Sequence, residues 1–213
     1  MKGCAMSKQV LIACEQSQVV CLAFRRLGIE AYSNDLNPCY GGHPEWHIIG
    51  DARTVILGRA AYLLENGAWV NVHGRWAMII AHPPCTMLTH SSAVALSQGK
   101  HAMEDVLRAS IFFLSMLSAP AQFVAVENPA PMRIARLPPY DQIIQPYYFG
   151  HPYSKRVCLW LRNLPPLLPQ SGYYVEHKQW LKHCASNSRR RSKTFEGIAE
   201  AMASQWGSLL YEE

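Results

Sequence analysis

The sequence predicts an α/β domain built on a mostly parallel sheet with helices on both faces, and three observations predict it. Short runs that are apolar throughout, such as Val10-Leu11-Ile12-Ala13 and Ala77-Met78-Ile79-Ile80-Ala81, lack the in-out alternation of a half-solvated strand. Segments with apolar residues at helical spacing lie between them. A cluster of polar or turn-forming residues follows each apolar run, which is where an open α/β sheet carries its chemistry.

Taken in order, residues 10–13 form the first strand, and a helix over 19–27 follows, with Val20, Ala23, Phe24 and Leu27 on one face and Gly28 as its stop. A second strand is expected over 29–33 and a third over 47–50, with a helix over 53–64 behind it. Residues 77–81 read as the clearest buried strand, ended by His82-Pro83-Pro84, because proline cannot continue a ladder. The strongest helix spans 104–117, on the broad apolar stripe of Val106, Ala109, Ile111, Phe112, Phe113, Met116 and Leu117. Strands over 123–126 and 157–161 and a final helix over 198–206 complete the set. No internal repeat or low-complexity tract interrupts it.

Composition bounds the rest. A chain of 213 residues with 49% hydrophobic and 16% charged residues builds one globular domain, expected here as 1–213, and is neither disordered nor fibrous. No apolar run approaches the roughly 20 residues of a membrane helix, and no signal-peptide core precedes Lys8, so the expectation is a cytoplasmic protein without a membrane partner. Seven irregularly spaced cysteines read as reduced thiols. The net charge of +5 leans mildly toward polyanions, and Arg189, Arg190, Arg191 and Lys193 place four positive charges within five residues, either as a solvated segment or as phosphate contacts.

The candidate functional residues are those at the strand ends: Cys14-Glu15-Gln16-Ser17 after the first, Asn34-Asp35 after the second, Asp51 after the third, Pro83-Pro84-Cys85-Thr86 after the fourth and Glu127-Asn128-Pro129 after the fifth. Two acids after successive early strands suit a nucleoside, whereas a thiol and a carboxyl after later strands suit covalent and acid-base chemistry. Singly, Asp35 and Asp51 also fit turn or cap residues, Cys85 a buried inert thiol and Glu127 a plain strand exit. Jointly they fall at one end of one sheet.

Ser33-Asn34-Asp35, Gly50-Asp51-Ala52, Ala81-His82-Pro83-Pro84-Cys85-Thr86 and Val126-Glu127-Asn128-Pro129 occur in the order and approximate spacing of motifs of the cytosine-C5 DNA methyltransferases. Over about residues 9 to 207 the chain resembles short phage-borne members of that family, with Cys158-Leu159-Trp160-Leu161, Arg191-Ser192-Lys193-Thr194-Phe195 and Gln205-Trp206-Gly207 adding to the likeness. The resemblance implies a Rossmann-like class I methyltransferase fold that uses S-adenosylmethionine, acts on DNA in a bacterial host cell and has a use in evading restriction. It places Cys85 on the nucleophile, Glu127 on the acid and Arg156 on an arginine near a flipped cytosine. It places Cys14, Glu15, Gln16, Ser17, Asp35, Asp51 and Pro83 around the cofactor, and Pro84, Thr86, Thr89, Asn128, Arg189, Arg190 and Arg191 toward the substrate, with no metal.

Four features depart from the family pattern. Glu15, Gln16 and Gln18 replace a glycine-rich first loop, Thr86 replaces a glutamine, Pro129 replaces a valine, and Ser154 stands where a first arginine is usual. Residues 163–190 are also too few for a large target-recognition domain, so target choice is expected to be loose. Competing readings are a DNA amino-methyltransferase, which would need an aromatic platform beside Pro83-Pro84; an enzyme acting on a nucleotide or carrying another one-carbon unit; and a non-catalytic DNA binder, which would need neither Cys85 nor Glu127. A metal site on Cys39, His43 and His47, with Asp35 or Cys184, lacks a clear partner pair.

Overall fold

The computed structural model describes residues 8–169, 181–182 and 193–211. Its centre is a seven-stranded sheet in the order β3-β2-β1-β6-β7-β10-β8. The parallel strands are β1 (Val10–Ala13), β2 (Ala31–Asp35), β3 (His47–Ile49), β6 (Met78–Ala81) and β7 (Phe123–Pro129). β10 (Val157–Arg162) runs antiparallel between β7 and β8 (Gln142–Ile144). The mostly parallel α/β fold read from the sequence is therefore the fold of the protein.

Wholly apolar strands follow from burial on both sides. Val10, Ile12, Met78, Ile80, Ala125 and Leu159 point into a core closed by α1 (Val19–Arg26) and α5 (Glu196–Gly207). Their neighbours Leu11, Ala13, Ile79, Ala81, Val124, Val126 and Trp160 point to the other face, against α2 (Ala52–Val55) and α4 (Met103–Leu117). Both cores shift to the wrong face if a strand slips by one residue, which pins the register.

Several boundaries differ from the sequence reading. The helix expected over 53–64 is only α2; beyond it lies a hairpin of β4 (Ala61–Leu63) and β5 (Trp69–Asn71). Gly58 ends the helical path with φ of +63°, and a Cβ there would lie 2.6 Å from the Gly74 carbonyl oxygen. The hairpin then buries Tyr62 and Val70 and exposes their neighbours, a period of two that a helix cannot supply. β7 continues through Glu127 and Asn128 instead of stopping before them, and β2 continues to Asp35. α3 (His90–Ser97), β8 and the β9 (Tyr153–Ser154) and β11 (Leu181–Lys182) pair carry too weak a pattern to be read in advance.

Candidate active site

The sheet order reverses between β1 and β6, since β1 leads away to β2 and β3 while β6 leads to β7. In open α/β sheets this switch point, at the carboxyl ends, is where ligands bind. The His82 amide donates to the Ala13 carbonyl at 2.9 Å and the Glu15 amide to the Asn34 carbonyl at 2.9 Å, so the loops leave the sheet side by side.

The first loop turns without glycine. Cys14 and Gln18 take left-handed conformations, with φ of 60° and 59°, a strain of about 1–2 kcal/mol per residue. Buried hydrogen bonds offset it. The Gln18 amide donates to Ser33 Oγ at 3.1 Å and to the His43 carbonyl at 2.9 Å, and it accepts from the His43 amide at 3.1 Å. The Glu15 carboxylate accepts from the Val20 and Cys21 amides at 2.8 and 3.2 Å and from Ser17 Oγ at 3.3 Å, and so caps α1 from outside the helix. Burial pushes the Glu15 carboxyl up, against the opposing effects of His82 and the two amides. Glu15 and Ser17 thus build the loop, while the Gln16 amide donates to the Pro38 carbonyl at 3.3 Å. Gly41 folds onto this loop so closely that a Cβ would lie 2.6 Å from both Gln18 Cβ and the Ser17 carbonyl oxygen.

Asp35 and Asp51 lie at the ends of β2 and β3, joined by a 3.0 Å bond from the Gly50 amide to the Asp35 carbonyl. Asp35 accepts from the Asn37 amide at 3.0 Å. Asp51 caps α2 through the Arg53 amide at 2.9 Å and meets the Arg53 guanidinium at 2.5 Å, which holds its carboxyl below the ordinary range. Burial, then Asp35 and Asp51, push the Cys14 thiol up to about 12, which makes Cys14 a poor nucleophile and shows the negative field at this end. Asn34 donates to the Ile48 and Gly50 carbonyls, and its Oδ1 is buried with no hydrogen-bond partner. Leu36, next to Asp35, is 71% exposed.

The other half of the site comes from β6, β7 and β10. Register places Ala81 beside Val126, so His82 stands level with Glu127 and donates from Nδ1 to its Oε2 at 3.0 Å. Asn128 Nδ2 donates to the Pro83 carbonyl at 2.9 Å, the Met132 amide donates to the Leu88 carbonyl at 2.7 Å, and Thr89 bridges Pro131. These bonds hold the loop with exposed Pro84, half-buried Cys85 and exposed Thr86 against the end of β7. Burial pushes the Glu127 carboxyl up, but the His82 bond and the charges of Lys155 and His82 outweigh it and leave the carboxyl below its ordinary range.

Because β10 is antiparallel, its first residues arrive where the parallel strands end. Val157 pairs with Pro129, which puts Lys155 and Arg156 at this rim. Arg156 is exposed and donates to the Tyr140 hydroxyl at 2.8 Å. His82 and Lys155 were not legible as partners of Glu127 in the sequence; a positive residue just before a late strand was the available signal for Lys155. Arg189, Arg190 and Arg191 lie outside the described residues, as does most of the 163–190 segment.

Both ring nitrogens of His47 are engaged, with Ser33 Oγ at 2.8 Å and the Asn37 carbonyl at 2.9 Å, and His43 pairs with Glu45 at 2.8 Å. Among the described residues no group of three or more histidine, cysteine and acidic side chains is placed to hold a metal ion. No described helix is long and apolar enough to cross a membrane.

No family model matches the chain, and no curated protein matches it. Two of the solved structures that resemble it are methyltransferases by name. One is a protein of E. coli assigned as a DNA modification methyltransferase encoded within a prophage, with TM-score 0.43, 13% identity, and coverage of 73% of this chain and 46% of that one. The other is the Dnmt2 methyltransferase of S. pombe, with TM-score 0.42, 16% identity, and coverage of 72% and 48%. The chain spans about half the length of each.

Proposed function

We propose that the protein is a DNA methyltransferase that transfers a methyl group from S-adenosylmethionine to C5 of cytosine. The observation that supports this most is the clamp between the Pro83-Pro84-Cys85 loop and Glu127-Asn128, which sets a thiol and a buried carboxylate on adjacent strand ends. The residues present also fit the cofactor. Carboxylates at two adjoining strand ends suit its hydroxyl and amino groups, exposed Leu36 suits a purine face, and the unpartnered Asn34 Oδ1 is an acceptor in the same corner. The negative field around Cys14 suits a sulfonium. Asp35, Asp51 and the first loop would hold S-adenosylmethionine, which supplies an electrophilic methyl group. A ligand competes at Asp51 with the exposed Arg53 pair, and such pairs are weak.

Cytosine C5 is a poor nucleophile until C6 is attacked. In this reading the Cys85 thiolate adds at C6 and Glu127 meets N3, where the displaced charge gathers. Arg156 and Lys155 face the extruded base from β10, and Pro84, Thr86 and Thr89 line its approach. Flipping costs a few kcal/mol, offset by those contacts. The substrate is DNA and the setting a bacterial cytoplasm.

Cys85→Ser is expected to abolish 5-methylcytosine formation and leave calorimetric S-adenosylmethionine binding within about twofold, since a hydroxyl is a far weaker nucleophile near neutral pH. The wild-type protein is expected to be trapped on DNA containing 5-fluorocytosine. Full activity of the serine variant ends the covalent reading.

A further inference from the structure

His82 pairs with Glu127 at the strand ends. Its side chain is 9% exposed and that of Glu127 13% exposed, and the Nδ1 to Oε2 contact is 3.0 Å. Its other nitrogen, Nε2, is buried and has no hydrogen-bond partner. Glu15 also lies within electrostatic range of His82, while its oxygens are committed to the α1 amides and Ser17. A carboxyl that must stabilise N3 needs a proton at hand, yet the His82 bond and the charges of Lys155 and His82 hold Glu127 below its ordinary range. The group within reach to supply that proton is the His82 imidazole, 3.0 Å away.

We propose that His82 is a positioning residue that stores the proton Glu127 delivers to cytosine N3. The inference rests on the C5-methyltransferase reading and specifies where its acid comes from. As the Cys85 thiolate forms the S–C6 bond, the C5–C6 π electrons move toward N3, and a proton of doubly protonated His82 passes through Glu127 to N3, leaving His82 as neutral imidazole. C5 is then nucleophilic enough to take a proton from water. Loss of the original C5 hydrogen, return of the N3 proton to the pair and breakage of S–C6 restore thiolate and cytosine, with hydrogen exchanged at C5. The exchange needs no cofactor.

Among the described residues the groups that tune this proton are Glu127 on β7, Glu15 in the first loop, Lys155 and Arg156 just ahead of β10, and Cys158 in β10. The test is exchange at cytosine C5 of duplex DNA in deuterated buffer without cofactor, followed across pH beside 5-methylcytosine formation with cofactor. His82→Asn keeps a donor where Nδ1 stands but stores no proton; a thermal melt and cofactor titration check its fold. The wild-type rate is expected to fall at the alkaline side only as the pair gives up its proton. In His82→Asn that limb should move to lower pH, with at least tenfold slower exchange at pH 8. A variant profile that coincides with wild type, while the wild type methylates, overturns the role of His82 and leaves Cys85 and Glu127 standing. A wild-type alkaline limb already in the carboxylate range overturns it without any variant. Absence of 5-methylcytosine from wild-type reactions overturns the methyltransferase reading and this inference together.

Discussion

At the residue scale, chemistry is divided between two cysteines and two pairs of acids by their surroundings. Cys14 is suppressed by burial and by Asp35 and Asp51, whereas Cys85 stands half-buried on an exposed loop. Asp35→Ala and Asp51→Ala are each expected to weaken S-adenosylmethionine by about tenfold or more, because each strands a polar group of the ligand; calorimetric titration measures this, and unchanged affinity in both relocates the cofactor. Glu127 carries a pH signature. Its carboxyl is lower in the folded protein than in the unfolded chain, so it adds stability above the unfolded value that disappears as pH falls through the folded one. Thermal melts of wild type should therefore lose stability below about pH 4 more steeply than those of Glu127→Gln. Glu15 has the opposite sign, since its raised carboxyl favours stability at low pH and loses that share as pH rises, so Glu127→Gln melts should drop less toward acid.

At the element scale, the first loop and α1 work as one unit. Cys14 and Gln18 share the same left-handed backbone but have different partners, and glycine should separate the two effects. Cys14→Gly relieves strain and removes little, and its stability should stay within about 1 kcal/mol of wild type. Gln18→Gly relieves the same strain but leaves the His43 amide and carbonyl and Ser33 Oγ without their buried partner, which should destabilise by about 1–3 kcal/mol. Urea unfolding of both variants checks the contrast, and equal effects would mean that the amide bonds contribute nothing net. This loop was read from the sequence as a departure from glycine. That it would be rebuilt by Glu15 capping α1 and Gln18 bonding residue 43 was hidden, and the second contact depends on how residues 36–43 fold back over the loop.

At the scale of the whole molecule, the sheet gathers acids around β1, β2 and β3 and the thiol, histidine and basic residues around β6, β7 and β10. In the proposed reading, a cationic cofactor and an anionic substrate would meet these two groups separately. The chain's positive excess belongs to the substrate side in this reading. Changing Arg189, Arg190 and Arg191 together to alanine is expected to weaken DNA binding about equally across sequences and to reduce the slope of log affinity against log salt by roughly one per lost phosphate contact. Binding isotherms at several salt concentrations on unrelated duplexes test this. A loss confined to one sequence would make these residues base readers.

The sequence by itself determined the α/β class and which polar residues stand at the strand ends. Strands buried on both faces are largely apolar, and polar residues gather at and just beyond their carboxyl ends, so Cys14, Asp35, Asp51, Cys85 and Glu127 announced themselves. Local pattern failed where two outcomes shared one composition, as at 53–64, where Gly58 and the two-residue burial period of Tyr62 and Val70 made a hairpin instead of a helix. Only the tertiary structure decided that His82 meets Glu127, 45 residues away, and that Lys155 and Arg156 reach the same rim. Those contacts follow from the register of β6 against β7 and the reversed direction of β10. Strand neighbours and directions are settled by closing both cores at once, a property of the whole sheet that no single segment carries.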